Sequence, residues 1–98
     1  MQFLVRIKVL WPPDGDPGRR EELVAAEGVR ARELADEGTL IRMWRIPGKW
    51  ANVGIWEAED ATKLHEAVSS LPLFPWLDAD VTPLADHPSD PNRRGSAS

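Results

Sequence analysis

The stretch TLIRMWRIPGKWANVGIWE, running from Thr39 to Glu57, decides the fold. Its two halves, residues 39–46 and 50–57, are rich in β-branched and aromatic side chains, and Pro47-Gly48-Lys49 between them suits a hairpin turn. Read with a period of two, the first half sets Leu40, Trp44 and Ile46 against Ile41 and Met43, and the second sets Trp50 and Trp56 against Ala51, Val53 and Ile55. A hairpin apolar on both faces needs two covers, one from the same chain and one from another subunit. A homo-oligomer is therefore expected.

Working outward, a helix is expected on either side. Upstream, Asp16-Pro17 reads as an N-cap followed by proline at the first helical position, opening a helix over residues 17–37 that stops at Gly38. Downstream, Asp60 opens a second helix bearing Ala61, Leu64, His65 and Val68. It ends near Ser69-Ser70, before the proline-rich run of residues 71–76. The outermost segments are strands: residues 2–11, with Phe3, Val5, Ile7, Val9 and Trp11 alternating against Gln2, Leu4, Arg6, Lys8 and Leu10, and residues 78–85. The order is βαββαβ. It predicts an α+β, ferredoxin-like antiparallel sheet with two helices on one face. Residues 1–87 form one domain on this reading, and residues 88–98, rich in Pro, Ser, Asn and Arg, form a polar tail.

Composition narrows the function. A net charge of −4 and a pI near 5.1 argue against a nucleic-acid surface. With no cysteine there is no disulfide, zinc thiolate or thiolate nucleophile. The amino terminus shows no export signal, and no apolar run is long enough to span a membrane, so a cytoplasmic protein is expected. No Gly-rich phosphate loop, HExxH or GxSxG is present, and His65 and His87 stand apart from any acid or hydroxyl motif. Neither a metal nor another cofactor is expected. Five Trp and no Tyr suggest indoles buried in a core or subunit contact, or lining a cavity.

One charge is out of place. At about 100° per residue, Leu23, Val24, Ala31, Leu34 and Ala35 form one stripe of the first helix, and Glu27 lies near its middle. Burial raises a carboxyl's pKa toward the range of a useful base. A buried ion pair with Arg6, Arg42 or Arg45 is the structural alternative. The available toolkit of Glu, Lys, Arg, Asn and aromatic groups suits proton transfer.

Met43-Trp44-Arg45-Ile46-Pro47-Gly48, then Ala51-Asn52 and Leu71-Pro72-Leu73-Phe74-Pro75, resemble the muconolactone isomerase family. Further agreement comes from Asp16-Pro17, Glu27, Glu37-Gly38-Thr39, Leu64-His65 and His87-Pro88-Ser89, over residues 1–89 without a gap. The resemblance implies a subunit of the dimeric α+β barrel type, assembled into a higher oligomer such as a decamer. It also implies a cofactor-free shift of the ring double bond of muconolactone, or a related butenolide, in aromatic catabolism.

It implies Glu27 as the proton-transferring base and Asn52 as a donor to the lactone carbonyl. Lys49, Arg42 and Arg45 become candidates for anchoring the substrate carboxylate. Several positions depart from the family pattern. Lys49 and Trp50 stand where His and Tyr are more usual, Gly28 replaces a Lys, Ile41 a basic residue, and Arg42 and Leu4 each a His. Trp50 is therefore expected in the substrate pocket, with its indole N–H replacing a hydroxyl if it points inward. These changes leave two other readings open: a diverged enzyme on the same scaffold, such as a chloromuconolactone dehalogenase or a cofactor-independent monooxygenase or cyclase, and a non-catalytic binding protein.

Overall fold

The computed structural model describes residues 1–92 and follows the expected order: β1 (Gln2–Val9), α1 (Pro17–Asp36), β2 (Leu40–Arg45), β3 (Ala51–Glu57), α2 (Ala61–Ser69), a 3₁₀ turn (Phe74–Trp76) and β4 (Leu77–Leu84). The expected tail, from residue 93 onward, lies outside the described residues. The sheet runs β2-β3-β1-β4 and every neighbouring pair is antiparallel. β1 is thus central, and its odd-numbered residues Phe3, Val5 and Ile7 carry the core beneath the helices with Trp56, Leu34, Leu64 and Val68.

The local chemistry that shapes these elements is specific. The Asp16 side chain accepts from the Gly18 and Arg19 N–H groups, and Asp60 Oδ1 accepts from the Lys63 N–H, so both helices start on carboxylate caps. α1 ends in a paired closure: Gly38 N–H donates to Ala35 O at 3.0 Å and Thr39 N–H to Leu34 O at 2.9 Å, with Gly38 at φ +81°. In the hairpin, Lys49 N–H donates to Ile46 O, and Gly48 has φ +78° after Pro47, the residue pair a type II turn favours.

Two expectations are corrected. Strict alternation put Leu40 and Trp44 on one face of β2, but Leu40 pairs with Trp56 while Arg42 pairs with Ile55, so Ile41 is an extra residue in a β-bulge. Beyond the bulge the faces exchange. Met43 and Arg45 join Leu40 on the helix side, opposite Gly54 and Asn52, and Arg42 and Trp44 turn to the other face with Val53 and Ile55.

The stripe of α1 is also rotated. Only Leu34 is fully buried. Leu23, Glu27, Arg30 and Ala31 are half-buried, while Val24 and Ala35 are exposed. Arg30 fits there because its guanidinium lies within 3.3 Å of Glu33 and 3.7 Å of Glu37, while Nε donates to Ser70 Oγ.

Candidate active site

α1 lies across the helix side of the β2–β3 hairpin, and Glu27 faces the sheet there. A cavity of about 60 Å³ sits between them, bounded by Glu27 and Ala31 of α1, Met43 of β2, Asn52 and Trp56 of β3, and Leu71. Glu27 and Asn52, chosen from the sequence as candidate base and donor, are brought to the same cavity. Leu73 N–H donates to Glu27 Oε1 at 3.0 Å. Among the described residues Glu27 makes no ion pair, so the expected structural alternative with Arg6, Arg42 or Arg45 is not what the fold builds. Burial raises the Glu27 pKa above the ordinary carboxylate value, and the Leu73 N–H, which favours the charged form, offsets part of that rise.

Among the described residues, two further polar atoms have no partner. Asn52 Oδ1 and Trp56 Nε1 are both buried without a hydrogen bond. A half-turn of the Asn52 amide exchanges its oxygen for its NH₂, so this side chain can meet a ligand as acceptor or donor. Trp56 is not legible from the sequence as a site residue, because one of several indoles in an apolar strand reads as core. The missed signal is Gly54, two residues before it on the same strand face, where the β2 backbone leaves no space for a Cβ and the indole lies alongside.

The cavity has room for about two water molecules. A larger, open pocket of about 510 Å³ is lined by Arg20 and Val24 of α1 and by Arg45, Lys49 and Trp50 of the hairpin. Val24 is one turn from Glu27, and Arg45 is the register partner of Asn52, so the two spaces are neighbours along one helix–hairpin interface. Cations therefore surround the open part and the carboxylate occupies the enclosed part.

The remaining candidates divide. Arg45, Lys49 and Trp50 all line the open pocket. The Arg20 guanidinium lies 4.5 Å from the Trp50 ring centroid, an arrangement sequence reading missed because Arg20 falls among the solvent-facing charges of the first helical turn. Arg42 is not brought to the site. Its guanidinium stacks 4.6 Å from the Trp44 ring centroid on the opposite face of the sheet, where the Ile41 bulge has turned it.

A family profile described as muconolactone delta-isomerase matches residues 1–90. The chain is 41% identical to the muconolactone delta-isomerase of Rhodococcus opacus over 88 residues, covering 90% of this chain and 95% of that one. Against the Pseudomonas aeruginosa muconolactone delta-isomerase it is 38% identical over 89 residues, covering 91% and 93%. A crystal structure of muconolactone isomerase superimposes with a TM-score of 0.87 at 38% identity, covering 93% of this chain and 95% of that one. A 5-chloro-2-hydroxyhydroquinone dehydrochlorinase from Burkholderia phenoliruptrix shares the fold at a TM-score of 0.67 and 19% identity, over 89% and 96% of the two chains.

Proposed function

The chain belongs to the muconolactone delta-isomerase family and is an isomerase enzyme, and we propose that it moves the ring double bond of muconolactone, or a closely related butenolide, with Glu27 as the base. The observation that carries this reading is the shared cavity, which is lined by a partly desolvated carboxylate without an ion pair among the described residues and by an amide with an unsatisfied polar atom.

The reaction uses one proton and no cofactor. Ionised Glu27 removes the γ C–H proton of the unsaturated lactone, and the electron pair delocalises through the ring double bond onto the carbonyl oxygen as a dienolate. Glu27, now protonated, returns the proton at the α carbon, giving the enol-lactone. Desolvation makes the carboxylate a stronger base than an exposed glutamate. The Leu73 N–H holds Oε1, which leaves Oε2 to carry the proton. With its NH₂ turned inward, Asn52 donates to the oxygen on which charge develops. Arg45 and Lys49, at the open side, suit the carboxymethyl group that projects from the ring.

The opposite sheet face completes the proposal. Trp44, Ile41 and Leu84 are 44%, 45% and 39% exposed, and Leu4, Val53 and Ile55 are half-buried. So much apolar surface favours a homo-oligomer in which a second copy covers the sheet. Light scattering of the purified protein measures this directly, and a monomer would remove that part of the reading. No helix among the described residues is long and apolar enough to cross a membrane.

The function itself is tested by incubating the protein with muconolactone and following enol-lactone formation by ultraviolet absorbance, with Glu27→Gln as control. Turnover that disappears in the variant is expected. An inactive parent would reject the substrate, and an undiminished variant would reject the base.

A further inference from the structure

Among the described residues Trp56 is the largest fully buried side chain, at 1% exposure, yet its one polar atom has no hydrogen-bond partner there. A buried indole N–H normally finds an acceptor, and leaving it unpaired costs stability. A phenyl ring would pack the same strand face without that cost. The geometry shows where the N–H is kept. Asn52, Gly54 and Trp56 follow one another on the helix face of β3, so Asn52 and Trp56 are separated by about 13 Å along the strand.

The indole lies back over Gly54 toward Asn52, with Nε1 only 3.4 Å from where a Gly54 Cβ would stand. That Cβ would also stand 2.6 Å from the Arg42 carbonyl oxygen, so the bulged β2 strand requires glycine there, while the indole lies at ordinary contact distance from the same point. Packing with Phe3, its register partner, and Leu40 on the other side fixes the ring. Trp56 thus lines the cavity shared by Glu27 and Asn52, with its ring held in place by this packing.

We propose that the Trp56 indole N–H is a catalytic hydrogen-bond donor to the lactone carbonyl oxygen, acting beside Asn52 on the charge that develops as Glu27 removes the proton. The proposal rests on Glu27 as the base and adds a group to that site. A rigid donor aimed at the developing oxyanion needs no reorganisation during the reaction, which is where such a bond contributes most. The substrate oxygen, in turn, satisfies an N–H that the fold leaves open.

Two measurements decide it. Trp56→Phe keeps an aromatic ring and deletes the donor, and is expected to lower kcat by at least about ten-fold while KM changes by less than about three-fold. Unchanged kcat in this variant would overturn the proposal. Independently of its folding, the parent protein labelled with ¹⁵N in its indoles is titrated with the saturated γ-lactone bearing a carboxymethyl group, which has no double bond to shift. The Trp56 indole proton, assigned by through-bond experiments, is expected to move downfield. An unmoved resonance at saturating lactone would overturn the donor role. Because this titration involves no proton abstraction, it stands apart from Glu27: undiminished turnover in Glu27→Gln rejects the base reading, whereas a silent indole with an inactive Glu27→Gln rejects Trp56 alone.

Discussion

The backbone N–H of Leu73 donates to Glu27 Oε1 at 3.0 Å, tying the middle of α1 to the loop that leads into the 3₁₀ turn, 46 positions away in sequence. The bond explains why a carboxylate on an apolar helix stripe has a fixed orientation without an arginine partner. It also predicts that Glu27→Gln, whose Oε1 still accepts from Leu73, keeps the fold. Turnover of muconolactone should nevertheless fall by about 10²–10⁴-fold, the usual contribution of a general base. Circular dichroism and the ultraviolet assay on the same sample check both halves.

The pKa of Glu27 makes a second prediction, about stability. Burial places its folded-state pKa above that of the unfolded chain, so the folded protein holds the proton more tightly. Below the ordinary carboxylate range Glu27 is neutral in both states and carries no penalty. As pH rises through its raised pKa, the folded state loses this advantage and must hold a partly desolvated charge. Glu27→Gln should therefore melt at a higher temperature than the parent at neutral pH, with the gap narrowing on acidification. Melting curves across that range test the sign, and a gap that widens toward acid would contradict it.

The same shift predicts the acid side of the rate profile. A base must be ionised, so kcat/KM should fall as pH drops through the pKa of Glu27 in the free enzyme. That inflection should lie above the ordinary carboxylate range, because desolvation exceeds the opposing effect of the Leu73 N–H. Initial rates at subsaturating lactone locate it. An inflection in or below the ordinary range would place the working carboxylate in water.

Much of this was legible in the sequence, and what was not has a physical cause. The hairpin turn, both carboxylate caps and the Gly38 closure follow from short-range chemistry and appear where Pro47-Gly48, Asp16, Asp60 and Gly38 place them. Glu27 stood out by periodicity, although the stripe it belongs to is rotated toward Arg30. The Ile41 bulge could not be read from alternation, since one extra residue leaves every later side chain with an equally plausible pattern on the opposite face. That single residue exchanges Arg42 and Trp44 for Met43 and Arg45 beside the site. Leu73 was illegible for a different reason: a backbone donor leaves no mark in side-chain chemistry.

Gly38 offers a prediction about the scaffold. At φ +81° it closes α1 and sends the chain into β2 immediately before the bulge. Space is not the issue, because a Cβ there would meet nothing within 4 Å. The cost of Gly38→Ala is therefore the backbone conformation alone, about 1–2 kcal/mol. Denaturant unfolding should show a lower midpoint with an unchanged slope, and unaltered kcat would separate this effect from the chemistry.

Substrate anchoring gives the last prediction, and the bulge makes it specific. Arg45 faces the open pocket with Lys49, whereas Arg42 is stacked on Trp44 across the sheet. If the cations hold the carboxymethyl group equally in ground and transition states, their loss raises KM and leaves kcat alone. Each of Arg45→Gln and Lys49→Gln should raise KM by roughly three- to ten-fold, a modest effect because both side chains are solvent-exposed. The methyl ester of the substrate supplies the decisive contrast, since it keeps the ring and removes the charge. The ester should show a high KM with the parent protein and little further increase with either variant. If the variants impair acid and ester alike, Arg45 and Lys49 shape the pocket without anchoring the carboxylate.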